Sequence, residues 1–243
     1  MNTLTIVITM GGLGNRFRKA GYTIPKYMIE INEKSMFYLS LLSLSSLTPI
    51  AKQYIFIVLD DQSVDVCKFI KNECNKLNIH NYKIIKLNCL TDGQATTALL
   101  GSKYWQKDSP LLIYNIDTYI EPGHLVPDIF RGDGFIPCFT GIGNHWSFVK
   151  LNSKKEVVEV REKKRISDYC TIGAYFFKTC ALYEELYNSY YKDNMNNING
   201  EKYIAPLYND LIKKGGKIFI SNIPSKYVHV LGTPEELEQF KNK

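Results

Sequence analysis

The sequence predicts an α/β protein: a mixed, mostly parallel sheet flanked by helices, with a small β-ribbon elaboration. Three observations carry this reading. Apolar runs recur at Leu4–Met10, Tyr54–Leu59, Tyr82–Leu87 and Leu111–Ile116, and continuous runs of this kind suit strands covered on both faces. Helical stretches stand between successive runs, as crossover connections between parallel strands require. After about Phe135 the texture changes to short apolar runs, Phe135–Phe139, Trp146–Leu151, Glu156–Val160 and Thr171–Phe177, with turn residues between them, which marks a mixed continuation and the added ribbon.

Taken in order, Leu4, Ile6, Val7 and Ile8 make the first strand and feed a glycine-rich turn. Tyr27–Ile31 is a short strand or a loop. Ser35 caps a helix through Leu47, with Phe37, Leu41, Leu44 and Leu47 on one face. Asp61–Leu77 is the next crossover helix, and the small-residue loop from Cys89 turns into a helix that reaches about Trp105. The late helices are Cys180–Lys192 and Tyr203–Lys214, the second stopped by Gly215-Gly216, and Lys217–Ile220 is a last strand. Thr233, Pro234 at the first helical position and Glu236 three residues after the threonine form a capping box for a C-terminal helix. The asparagine-rich run Asp193–Gly200 is a loop.

Composition narrows the function. With 243 residues and 45% of them hydrophobic, the chain can bury one substantial core, so residues 1–243 are expected to form a single domain. No stretch approaches the roughly 20 apolar residues of a membrane span; the densest, Met36–Leu47, is broken by Ser40, Ser43, Ser45 and Ser46. No basic residue precedes Leu4, which argues against a secretion signal. The six cysteines show no C-x-x-C spacing and read as reduced thiols of a cytoplasmic protein. Scattered histidines (80, 124, 145, 229) argue against structural zinc. The net charge of +6 is spread without a basic helix or an aromatic-basic module, which argues against a nucleic-acid partner, and a mild positive excess fits anionic small substrates equally well. Nothing in the sequence sets the oligomeric state.

The stretch Met10-Gly11-Gly12-Leu13-Gly14-Asn15-Arg16, followed by Pro25-Lys26, carries the most chemistry. Three glycines after a buried strand let bare backbone N–H groups close around phosphate oxygens. Arg16 offers a planar fork and Lys26 a compact charge, a pair that suits a polyphosphate. A dinucleotide fingerprint needs a small residue where Phe17 stands, and no G-x-x-x-x-G-K-[ST] loop occurs. Asp117 ends the fourth apolar run, where a carboxylate is either a turn former or a ligand for Mg²⁺. Asp92-Gly93-Gln94 is either an ordinary turn before a helix or a base-reading segment, since glutamine has both a donor and an acceptor for a base edge. The charged run Arg161–Arg165 is, by itself, a solvated face.

G-G-x-G-x-R with Pro25-Lys26 nine residues on resembles the signature of the nucleotidylyltransferases that activate sugar phosphates and related phosphorylated acceptors, of Rossmann-like, GT-A-like architecture. The match runs, with gaps, from Leu4 to about Phe240. It implies that Met10, Gly11, Gly12 and Gly14 bind the nucleotide, that Arg16 holds the departing phosphates and that Lys26 neutralises the reacting ones. Asp92, Gly93 and Gln94 would read the base, and Asp117 would hold Mg²⁺. Glu162 would contact the acceptor and Lys163 its phosphate, with Thr171 and Gly173 lining the same pocket. The family's second metal-binding aspartate is replaced by Val230. The segments Phe17–Lys26, Trp146–Val149 and Ile166–Tyr169 resemble the branch found among bacterial capsule and cell-surface enzymes. That branch implies CTP as the triphosphate and an acceptor of the phosphoglutamine or sugar 1-phosphate type. The rival readings are a glycosyltransferase of the same architecture and a non-catalytic nucleotide-binding relative.

Overall fold

The first strand, β1 (Leu4–Met10), lies inside a ten-stranded sheet in the computed structural model, and its side chains show why. Leu4, Ile6, Ile8 and Met10 enter the core cluster on one face and Val7 the cluster on the other, so neither face meets water. The structure describes residues 3–61, 63–193 and 196–242. After α1 (Asn15–Lys19), the short pair β2 (Glu30–Ile31) and β3 (Lys34–Ser35) leads into α2 (Met36–Leu42). Then come β4 (Ala51–Leu59), α3 (Val66–Lys76), β5 (Tyr82–Leu87), α4 (Gln94–Leu99) and β6 (Leu111–Asn115). β1 pairs in parallel with β4 and β6, and β4 with β5. This parallel block gathers the carboxyl ends of β1 and β6 at one edge, where open α/β sheets bind ligands.

The second half begins with β7 (Thr118–Ile120), then β8 (Gly134–Thr140), β9 (Ser147–Leu151), β10 (Val157–Glu162), β11 (Tyr169–Thr171) and β12 (Ala174–Phe177). Helices α5 (Cys180–Tyr190) and α6 (Leu207–Lys213) precede β13 (Ile218–Ile223), β14 (Val228–Val230) and α7 (Pro234–Lys241). β12 continues the sheet antiparallel to β6, β8, β11, β9 and β10 extend it, and β13 pairs in parallel with β8. The ribbon foreseen from the sequence is this β9–β10 extension, whereas β7 and β14 form a separate antiparallel pair. Helices α2 and α3 cover one face of the sheet, and α4, α5 and α6 the other. A third cluster, Phe17, Ile29, Ile31, Met36, Leu39, Leu231 and Leu237, ties the start of the chain to its end.

Several elements differ from the sequence expectation for local reasons. Helix α2 stops at Leu42 instead of Leu47 because i→i+3 bonds, such as Leu44 N–H to the Leu41 carbonyl, tighten the chain into successive turns. Helix α3 begins at Val66, where the Asp65 carboxylate caps Lys68 N–H at 2.9 Å; position 62 of the expected helix lies outside the described residues. The run Thr171–Phe177 divides into β11 and β12 at Gly173, whose φ of +79° breaks the strand. Helix α6 starts at Leu207 because Pro206 disfavours helical backbone before it, which leaves Tyr203 outside the helix. The late strand runs Ile218–Ile223 rather than ending at Ile220. Of the expected Asp193–Gly200 loop, positions 194 and 195 lie outside the described residues, and Ile198 bridges Glu201.

Candidate active site

The glycine loop leaves the carboxyl end of β1 and turns into α1 at Gly14, whose φ of +65° is left-handed backbone that glycine adopts without cost. Gly11 packs so closely that a Cβ there would stand 3.1 Å from Leu87 Cδ1. Met10, Gly11 and Gly12, with Lys26 and Asp117, line a cleft of about 490 Å³ whose other wall is the Leu90–Gln94 segment. Gly14 sits beside a smaller cavity with Arg16, Lys26, Asp117 and Gly232.

The Asp92–Gln94 segment is built for close backbone approach. At Gly93, with φ +139°, a Cβ would collide with the Lys202 backbone, 2.4 Å from its carbonyl oxygen. Lys202 N–H donates to the Asp92 carbonyl at 2.7 Å, and Ala95 N–H donates to the Lys202 carbonyl at 3.0 Å. Lys202 is buried; its ammonium pairs with the Asp92 carboxylate at 2.8 Å and lies 5.7 Å from the ring centres of both Tyr187 and Tyr191. Burial works to raise the Asp92 pKa, but hydrogen bonds from Lys202 and Thr96 hold it below the ordinary aspartate value. The Asp92 side chain therefore organises the segment. Gln94 faces the cleft, its amide nitrogen donating to Thr9 Oγ1 at 3.0 Å and to Asn115 Oδ1. Among the described residues no donor reaches its carbonyl oxygen, which is left for a ligand.

Asp117 sits in the turn between β6 and β7, and buried hydroxyls fix that turn at both ends. Ser40 Oγ donates to the Ile116 carbonyl at 2.7 Å, Tyr114 OH to the Thr118 carbonyl at 2.7 Å, and Ile120 N–H to Ser43 Oγ at 2.8 Å. Two of the serines that break the apolar run of α2 thus hold the turn that presents Asp117. Lys26 Nζ lies 2.6 Å from Asp117 Oδ2. Burial pushes the Asp117 pKa up, yet the charge and hydrogen bond of Lys26, with Arg16 behind them, hold it below the ordinary aspartate value, so the group is an anion.

A second cleft of about 230 Å³ adjoins the first and shares Gln94, Asn115, Asp117 and Tyr203 with it. Its wall holds Arg16, Glu162, Thr171 and Gly173, together with Trp146, Ser147, Tyr175 and Glu236. Gly173 is obligatory here, because a Cβ would fall 2.4 Å from Asn115 Nδ2. Burial raises the Glu162 pKa against the opposing hydrogen bond from Ser147 and the charge of Lys163. Arg16 opens onto this second cleft and the smaller cavity rather than onto the first cleft. Lys163 reaches neither: it is exposed, with left-handed backbone (φ +53°), and its Nζ donates to Tyr203 OH at 2.6 Å. Tyr203 in turn donates to Glu201. Sequence reasoning missed Tyr203, Lys202, Ser147 and Glu236 as site residues. Two of them had a local signal: Ser147 stands in the Trp146–Val149 segment and Glu236 in the capping box that Thr233 opens.

No protein-family model and no curated protein matches the sequence. Solved structures do. A nucleoside-diphosphate-sugar pyrophosphorylase from Vibrio cholerae RC9 is 35% identical, with a TM-score of 0.88, over 98% of this chain and 100% of its own. An inositol-1-phosphate CTP transferase from T. maritima, 12% identical with a TM-score of 0.76, matches over 100% of this chain and 95% of its own. A Bacillus anthracis protein assigned as a glucose-1-phosphate thymidylyltransferase, 16% identical with a TM-score of 0.79, matches over 98% and 94%. The last two share the fold. On this fold, the two clefts share Asp117, which pairs with Lys26 in the first. By its identity and coverage with the Vibrio protein, the chain belongs to the nucleotidylyltransferase family.

Proposed function

We propose that this enzyme transfers CMP from CTP to a phosphorylated small molecule, of the phosphoglutamine or sugar 1-phosphate type, and releases pyrophosphate in the supply of capsule or cell-surface polysaccharide precursors. The observation that carries the reading is the shared wall: Gln94, Asn115, Asp117 and Tyr203 belong to both clefts, with Lys26 against Asp117 where the clefts meet. The triphosphate lies in the first cleft and the acceptor in the second, so the acceptor's phosphate oxygen attacks the α-phosphorus in line and the pyrophosphate leaves along the glycine loop. No general base is needed, because that oxygen is already anionic near neutral pH; catalysis is positioning and charge neutralisation.

Lys26 neutralises the reacting phosphates, and Arg16, which lines the second cleft and the small cavity beside Lys26 and Asp117, adds positive charge there. Glu162 accepts hydrogen bonds from the acceptor, and Lys163, by leaving Tyr203, reaches the acceptor's phosphate. The free carbonyl oxygen of Gln94 suits an exocyclic amine, which cytosine has and uracil and thymine lack. Asp117 is ionised and open to both clefts, which fits a hard cation that keeps several waters. Mg²⁺ held there with the triphosphate would supply further neutralisation of phosphate charge. The test is pyrophosphate release over a panel of triphosphates and phosphorylated acceptors. CTP is expected to outcompete ATP, GTP and UTP at sub-saturating concentration. Equal use of ATP and CTP removes the base assignment, and no release with any pair removes the reaction.

A further inference from the structure

Glu236 belongs by sequence to a capping box, in which Thr233 and Glu236 each bind the other's backbone N–H. Only half of that box is made. Thr233 Oγ1 accepts from Glu236 N–H at 3.1 Å, while the Glu236 carboxylate does not return to Thr233. Its Oε2 is instead buried with no hydrogen-bond partner among the described residues, and the residue lines the second cleft with Asp117 and Arg16. A buried carboxyl oxygen left without a hydrogen-bond partner is costly, so its persistence points to a partner that binds there.

Gly232 shows what lies in front of it. A Cβ on residue 232 would stand 3.5 Å from Glu236 Oε2 and 3.6 Å from Asp117 Oδ2. The two carboxylates thus face one small space that a glycine keeps open, while Val230, where the resembling enzymes place an aspartate, offers no ligand. Asp117 has Lys26 as counter-charge, whereas Glu236 makes no ion pair among the described residues. Two carboxylates beside a site for phosphates would repel those phosphates unless a cation stood between.

We propose that Asp117 and Glu236 together hold the divalent cation, Glu236 of α7 standing in for the absent aspartate at 230 and Gly232 keeping the space between them clear. Oxygen donors with room for phosphate and water suit Mg²⁺ or Mn²⁺ rather than zinc. This rests on the nucleotide-transfer reading for its anionic ligands, but its test reads the metal directly.

Free Mn²⁺ is titrated against the protein by electron paramagnetic resonance, with and without CTP, for wild type, Glu236→Gln, Gly232→Ala and the double variant Val230→Asp/Glu236→Gln. Glu236→Gln should weaken Mn²⁺ in the CTP complex by about tenfold or more, the scale of losing one shaping group at a metal. Gly232→Ala, which only adds a methyl group to the space, should do the same, and the double variant should recover affinity. Should Glu236→Gln fail to fold, Gly232→Ala decides alone. Mn²⁺ affinity unchanged in both single variants overturns the proposal, and a Glu236→Gln effect confined to the KM of the acceptor overturns it by assigning the carboxylate to that substrate. Wild-type pyrophosphate release is measured separately: its absence, with Mn²⁺ still dependent on Glu236, would remove the reaction and leave the metal site standing.

Discussion

Lys26 does two things with one ammonium group. It lies 2.6 Å from Asp117, holding that carboxylate ionised, and it faces the space where reacting phosphates would meet. Lys26→Ala should therefore lower turnover by at least about 10²-fold, the scale of removing one preorganised charge partner of a transition state, with the far-ultraviolet spectrum unchanged; a near-normal rate refutes the role. The pH argument follows from the sign of the shift. Asp117 is depressed below the ordinary aspartate value, so its stabilisation is present at neutral pH and is lost as the pH falls through the lowered value. Lys26→Ala should move that loss to higher pH in acid unfolding. Glu162 is shifted the other way by burial, and the Ser147 hydroxyl opposes the shift. The acid limb of kcat/KM for the acceptor should stand above the ordinary glutamate range, and Ser147→Ala should carry it higher; a limb that stays in place in Ser147→Ala separates Glu162 from acceptor binding. His229 is the contrasting residue. Strand alternation turns it away from the cleft that Val230 lines, and its buried ring stacks on Tyr119, 5.4 Å between centres, beside Phe240. His229→Ala should cost about 1–3 kcal/mol of stability and leave most of the activity; a loss as deep as that of Asp117→Asn would make the histidine a ligand.

At the scale of elements, the segment around Lys202 closes the first cleft, which Gly200, Glu201 and Tyr203 line. Gly93 admits it, and Gly93→Ala would drive a Cβ into the Lys202 backbone at a left-handed φ. The variant should raise the KM for the triphosphate well beyond that for the acceptor, a split visible in two-substrate kinetics; equal changes in both would place the segment elsewhere. This contact also marks the limit of what the sequence makes legible. The glycine loop and Asp117 could be read because each follows an apolar run long enough to identify a strand, and a strand end locates the site. Lys202 and Tyr203 carry no such marker: they follow an asparagine-rich stretch and reach the clefts through bonds to residues about 40 to 110 positions away. The pairing of β14 with β7 is equally silent, since three-residue strands show no usable periodicity. Ser40 and Ser43 could be read only as interruptions, because their partners, Ile116 and Ile120, lie on another element.

Across the whole molecule, the third apolar cluster decides how the site holds together. Phe17, next to Arg16, packs in one cluster with Leu231 and Leu237, while Glu236 lies between those last two positions in sequence. The start and end of the chain therefore meet under the site, and the cations of the loop and the carboxylate of α7 are fixed by the same burial. Leu237→Ala removes a fully buried side chain and should cost about 2–5 kcal/mol. Its consequence for function separates this cluster from the rest of the core. Leu211 of α6 is also buried, packed against the opposite face of the sheet and lining neither cleft. At a temperature where both variants are folded, Leu237→Ala should raise the KM for both substrates by letting α1 and α7 loosen together, and Leu211→Ala should leave both KM values near wild type despite a comparable loss in denaturant midpoint. If the two variants shift KM alike, the effect is general softening of the fold, and the third cluster has no particular hold on the site.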